Sequence, residues 1–264
     1  MLEIILLIGF VALTIWAFCT NLLWGIIVLI ALGAYFYIKR YSKLCVSMAL
    51  RCYSRDDVKG CFRWFERAYK RGMDTQQKIT YAYYLMREGR VERSENLLNA
   101  VLAFKLKPEV KYLAKSNYAI LLLKTGRIHE AIEELEEIFP YYKNSTIYGS
   151  LGYLYILRGN MEQAKTFNQE AYEYNKENTV ILDNMVQLHI ALKDYEAAYC
   201  YVQELLDKEP RFIEAYYNAA LVEKELGKYE DAKAHLEHAL TIRTTFMSSY
   251  SHEDAKALLE TLPV

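Results

Sequence analysis

Residues 145–178 read STIYGSLGYLYILRGNMEQAKTFNQEAYEYNKEN, and residues 213–246 read IEAYYNAALVEKELGKYEDAKAHLEHALTIRTTF. In both, apolar residues return at the i, i+3, i+4, i+7 spacing of a single helix face, a glycine (Gly159, Gly227) interrupts, and five residues later an alanine (Ala164, Ala232) opens a second such face. Each stretch therefore reads as two amphipathic helices joined by a tight turn, a unit that cannot bury its apolar face alone and needs a neighbour of the same kind.

Working outward, the small residue of the second helix recurs as Cys61, Ser94, Ala131, Ala164, Ala198 and Ala232, at steps of 33, 37, 33, 34 and 34 residues. Five positions earlier stands a turn residue: Gly89, Gly126, Gly159 and Gly227, with Asp56 and Lys193 in the two remaining cycles. An apolar and a small residue sit side by side in each first helix (Tyr81-Ala82, Tyr118-Ala119, Leu151-Gly152, Ala219-Ala220), where small side chains allow close helix approach. Phe65, Leu98, Leu135, Val202 and Leu236 continue the core, Pro108 and Pro210 are expected to stop second helices, and the long step places residues 105–110 in an extended loop.

The pattern resembles the tetratricopeptide repeat, W-x2-L-G-x2-Y, then A-x3-F, then P. It covers residues 42–246; the first cycle, with Cys45, Cys52 and Cys61 at its anchors and no turn glycine, departs most. The resemblance implies an all-α fold, a right-handed α-solenoid of about six hairpins near 42–75, 75–108, 112–144, 145–178, 179–212 and 213–246. Ser251-His252-Glu253-Asp254 has the form of a capping box, so a helix over 251–262 is expected to close the stack.

The beginning of the chain is of a different kind. No charged residue occurs from Ile4 to Ile38, a helical length of roughly 50 Å against a hydrocarbon core of roughly 30 Å. Cys19-Thr20-Asn21 is the natural break, giving a transmembrane anchor over 1–40 built as a hairpin of helices about 4–18 and 22–38, or alternatively a single tilted span beginning near Val11. A cleaved signal peptide is not expected: Glu3 replaces the basic n-region and a second apolar run follows at once. From Lys39 to Arg71 ten basic residues face three acidic ones, a net +7, whereas the remainder beyond Arg71 carries −7. By the positive-inside rule the solenoid is expected at the cytoplasmic face of the cell (inner) membrane, with the juxtamembrane basic cluster near lipid headgroups. Five cysteines without a CxxC pair fit reduced thiols in that compartment.

In proteins with such repeats, the first helices line a concave groove that takes extended peptides or helices. Here the positions beside the core stripe are apolar and aromatic, and the residue before each small pair is Ser47, Thr80, Asn117, Ser150, Asn184 or Asn218. The similar repeats of the enzyme that attaches N-acetylglucosamine to proteins use asparagines there to hold a peptide backbone. The expected partner-binding residues are Tyr83, Asn117, Ile120, Ser150, Tyr153, Asn184, Gln187 and Asn218. Basic groove residues are sparse (Lys43, Arg87, Lys124), which disfavours a clamp for chaperone C-terminal carboxylates.

Catalysis is not expected. Cys45, Cys52, Cys61 and His189 coincide with core positions, His235, His238 and His252 lack the Cys or carboxylate that would complete a metal site, and Lys124-Thr125-Gly126 stands at a repeat turn without the partner motifs of penicillin-binding enzymes. No cofactor, metal or nucleic-acid partner is expected; the partner is a protein or peptide. The reading is a membrane-anchored scaffold or adaptor, with a peptide-responsive regulator lacking catalytic activity as the alternative.

Overall fold

The computed structural model describes the backbone of residues 2–263, and their side chains apart from those of 2–8, 36 and 39. All regular structure among these residues is helical: α1 (Leu2–Thr20), α2 (Leu22–Tyr53), α3 (Val58–Arg71), α4 (Thr75–Arg87), α5 (Val91–Leu102), α6 (Pro108–Lys124), α7 (Ile128–Ile138), α8 (Ser145–Arg158), α9 (Met161–Tyr174), α10 (Thr179–Ala191), α11 (Tyr195–Leu206), α12 (Ile213–Glu225), α13 (Tyr229–Ala239) and α14 (His252–Glu260). The chain divides into two compact units, one closing at Lys78 and one opening at Ile79 within α4.

In the first unit, Asn21 leaves the helical region and its side chain accepts from the Leu23 amide, which ends α1 and starts α2. The two helices fold back on one another, Phe10 lying against Tyr35 and the Phe18 ring occupying the space a side chain at Gly25 would need. Most of their described side chains point outward, including Trp16, Leu22, Leu23, Trp24, Ile30 and Ile38, each more than 60% exposed. Among the described residues no single helix is long and apolar enough to cross a membrane; the segments Leu22–Tyr35 and Arg40–Tyr53, bent by 53° at the break, meet the requirement of length and composition together. The bend falls next to the expected boundary at residue 40, and beyond it the later turns of α2, with Cys45 and Ala49 buried, pack on α3 as the first hairpin.

The second unit is built by stacking. Ser94, Ala131, Ala164, Ala198 and Ala232 are fully buried where the two helices of a hairpin meet, and the Ser94 hydroxyl donates to the Ala82 carbonyl at 2.7 Å. First helices also pack on first helices of the next hairpin, α6 on α8, α8 on α10 and α10 on α12, so each apolar stripe is covered by its neighbour. Leu122, Leu135, Ile147, Leu151, Leu154 and Leu188 belong to one continuous core cluster.

The hairpin turns share one geometry. Gly89, Gly126, Gly159 and Gly227 have φ of 72–82°, and Asp56 and Lys193, where glycine is missing, adopt the same left-handed conformation at φ 58°. In five of these six turns the following amide reaches back to a carbonyl near the helix end, Arg90 to Leu85, Arg127 to Leu122, Asp194 to His189, Lys228 to Glu223 and Asp57 to Cys52, the closure of a Schellman motif. Hydrogen bonding thus overrides the steric preference of an aspartate and a lysine.

Two sequence expectations change. Residues 108–110 are not loop: Pro108 occupies the first turn of α6, where its missing N–H costs nothing, and the extra residues of the long step lengthen that helix. After α13 the chain does not make the short turn that links other hairpins; residues 240–251 form an irregular segment, and α14 then begins with a reciprocal capping box between Ser251 and Asp254.

Candidate groove site

The inner wall of the second unit is carried by the first helices. Among the residues beside the core stripe of the first helices, Ile79, Met86, Ser116 and Ile156 are buried, while Tyr83, Ile120, Leu123, Tyr153, Gln187, Tyr217 and Leu221 stay half-exposed. All of the half-exposed ones but Tyr217 and Leu221 border a cavity of about 440 Å³, lined by Tyr83, Ile120, Leu123, Ser150, Tyr153, Asn184 and Gln187 together with Lys124, Val180, Asp183, Phe212 and Glu214. Of the eight expected residues, Asn117 and Asn218 do not line it.

The asparagines are engaged inside the solenoid. Asn117 Nδ2 donates to the Leu113 carbonyl of its own helix, Asn184 Nδ2 to the Gly149 carbonyl of the preceding hairpin at 2.7 Å, and Asn218 Nδ2 to Asp183 Oδ1 at 2.9 Å. The packing that brings α10 against Gly149 and α12 against Asp183 has turned a potential peptide ladder into a repeat-to-repeat ladder, because an unpaired buried amide is costly. Gly152 belongs to the same arrangement: a side chain there would overlap the amides of Asn168 and Asn184.

Asp183 is the buried acid of the wall. Its carboxylate also accepts from Gln187 Nε2 at 2.6 Å. Burial pushes its pKa up to about 7, against the pull of hydrogen bonds from Asn218 and Gln187, and Glu214 adds to the rise. Lys124 is held below the usual lysine value by burial, with Glu214 opposing.

Part of this groove is filled by the irregular segment after α13, which returns across it as a strap. Arg243 Nη2 donates to Glu88 Oε1 at 2.8 Å and the Phe246 amide to the Arg87 carbonyl at 3.1 Å, with the Phe246 side chain against Gly89. Further along, the Ser249 amide donates to Glu214 Oε1 at 2.5 Å, Lys124 Nζ donates to Ser249 Oγ at 3.2 Å, and Tyr250 stacks on Tyr217 with centroids 3.8 Å apart. The strap therefore ties the end of α4 to α6 and α12. Glu214 does not figure among the positions expected in the groove, Lys124 is expected there only as one of its sparse basic residues, and the sequence pattern places the start of the strap inside the last repeat; its signal is the twelve residues between Ala239 and His252.

The histidines near the C-terminus go to separate contacts, His235 Nδ1 to Glu223 at 2.8 Å, His238 to the Tyr216 ring and His252 Nε2 to the Ile242 carbonyl. No group of three or more His, Cys, Asp or Glu among the described residues could hold a metal ion.

Stacked helix hairpins closed by left-handed turns are similar in fold to tetratricopeptide-repeat proteins. The tetratricopeptide repeat family is matched at residues 145–178 and 213–246. Among curated proteins, the TPR repeat-containing protein YvcD of Bacillus subtilis (strain 168) is 28% identical over 119 residues, 45% of this chain and 25% of that protein, so the chain spans about a quarter of its relative's length. Among solved structures, the Cut9 and Hcn1 hetero-tetramer of the APC/C superimposes with a TM-score of 0.66 at 16% identity, covering 87% of this chain and 45% of that one. PilW, a type IV pilus biogenesis factor, gives 0.61 at 14% identity over 83% of this chain and 99% of its own, and PilF of Pseudomonas aeruginosa 0.57 at 15% identity over 85% and 99%. At these identities the likeness is one of fold.

Proposed function

We propose that this protein is a non-catalytic scaffold that holds a protein or peptide partner in the groove bordered by Tyr83, Ile120, Ser150, Tyr153 and Gln187, and that its first 40 residues anchor it at the cytoplasmic face of a membrane. The observation that carries the binding reading is the groove itself: half-exposed apolar and aromatic side chains around about 440 Å³ of open space, a surface that folding alone has no reason to leave uncovered. Tetratricopeptide repeats serve as protein-interaction modules, which supports the same assignment.

The anchoring reading is supported by the outward-facing Trp, Leu and Ile side chains of α1 and the first half of α2, and by the exposure of Arg40, Lys43, Arg51, Arg55, Lys59, Arg63, Arg67, Lys70 and Arg71 next to them. Because the second part of the bent pair is the first helix of a repeat hairpin, the helices that enter lipid are α1 and α2 up to about residue 38. Neither is long for a span, so the two act together as a hairpin.

The test of binding uses the full chain in its own membranes, with a photo-crosslinking residue at Ser150 and the variants Ile120→Asp and Tyr153→Ala. Both variants are expected to abolish the crosslinked species while leaving the helical content unchanged; capture that survives both removes the groove from the mechanism. For topology, Asn21→Cys in a Cys19→Ser background is expected to react with an impermeant maleimide from outside intact cells. Reaction only after lysis overturns the hairpin.

A further inference from the structure

Resting on that reading, we infer that the groove recognises an extended peptide with the chemistry of the chain's own residues 243–250, which sit in it as a resident competitor. The attachments of the strap reach three places on the wall, the turn after α4, the end of α6 and α12, through groups that a peptide in trans would supply equally well. An arginine reaches Glu88, an aromatic lies three residues later against Gly89, and a backbone amide finds Glu214. A hydroxyl then meets Lys124, and a second aromatic stacks on Tyr217. The first-helix wall thus carries an acid at one end, a second acid and a base in the middle and an aromatic platform at the other end, in an order that reads Arg-x-x-aromatic-x-x-hydroxyl-aromatic along the ligand.

The strap is held incompletely. Arg243, Phe246 and Ser249 are exposed, and the cavity remains open between the segment and the apolar wall of Ile120, Leu123, Val180 and Phe212. A ligand following the same course with a bulky apolar residue at the place of Ser248 fills space that the strap leaves empty and displaces it. Because the strap is covalently tethered at both ends, by α13 and α14, its effective concentration sets the affinity an outside peptide has to exceed.

The experiment measures anisotropy of a labelled peptide, TIRTTFMSSYS (residues 241–251), with the detergent-solubilised full chain and with the double variant Arg243→Ala, Tyr250→Ala, which loosens the strap and leaves no acid at 243 to pair with a base placed at 88. Binding to the loosened chain is expected to be at least about tenfold tighter than to the parent. Glu88→Arg in the loosened chain is expected to lose the peptide and to regain a peptide carrying Glu in place of Arg243, a rescue that a merely misfolded variant would not show. Equal binding to parent and loosened chains, no binding to either, or indifference to Glu88→Arg overturns the inference. So does a dimer of the loosened chain that excess peptide does not dissolve, since the strap would then exchange between copies. If the peptide fails while crosslinking at Ser150 still depends on Ile120, this inference falls and the groove function stands; if both fail, both fall.

Discussion

Replacing Asp183 by asparagine tests whether the groove wall carries a carboxyl that is neutral in the folded protein near physiological pH. The unfolded chain ionises an aspartate at about 3.9, whereas the buried Asp183 ionises at about 7. Between those values the folded state keeps a proton that the unfolded state releases, so unfolding is favoured as pH rises from about 4 to about 7, and the contribution is level outside that window. At about 1.4 kcal/mol per unit the full excursion is about 4 kcal/mol, an upper bound that local relaxation reduces. The amide introduced by Asp183→Asn presents the same shape to Asn218 and Gln187 without a titration, so the difference between variant and parent is expected to grow with pH, by roughly 2–4 °C in Tm for each kcal/mol. The assay is thermal melting by circular dichroism between pH 4.5 and 8. Using the difference removes other titrations, such as that of His189, whose burial lowers its pKa and acts in the opposite direction. Parallel curves for parent and variant across that range would refute the buried, uncompensated carboxyl.

Lys193→Gly is expected to raise stability by about 1 kcal/mol, because the lysine is held at φ 58° where only glycine is unstrained; Asp56→Gly is expected to gain less, aspartate being more tolerant of that region, and equal effects in urea titrations would contradict the argument. Gly152→Ala is expected to destabilise by about 1–3 kcal/mol through collision with Asn168 and Asn184, despite the better helix propensity of alanine, and a neutral result would mean that the α8, α9 and α10 contact is looser than described. Lys115→Met is expected to cost about 1–2 kcal/mol, since the ammonium bridges Glu134 at 2.9 Å and Glu137 at 2.5 Å with only 11% of its side chain exposed; a Tm unchanged at pH 7 and at pH 4 alike would show that the bridge is idle.

The hairpins were legible because their signal is local. A 34-residue step, a small residue at each helix crossing and a turn residue five positions earlier are enough to specify two helices, and even the turns without glycine, at Asp56 and Lys193, could be placed by counting. The same counting misjudged residues 108–110, where a proline that ends one helix in a pattern equally well begins the next. The site was less legible. Side-chain positions beside the core stripe separate into groove and buried contact only after neighbouring hairpins settle at their stacking distance, which is why Tyr153 and Ile120 face the cavity while Met86 and Ile156 do not.

What the sequence by itself determined is the repeat, the helical class, the apolar head of the chain and the basic collar beside it, all properties of residues near one another along the chain. Only the tertiary structure decided that Asn184 and Asn218 serve the packing of repeats, that Asp183 is buried among amides, and that residues 243–250 lie across the groove from Glu88 to Tyr217. Those contacts join residues as much as 155 positions apart, and no periodic pattern encodes them: they arise from the rotation that each hairpin makes on the one before it, accumulated over several repeats.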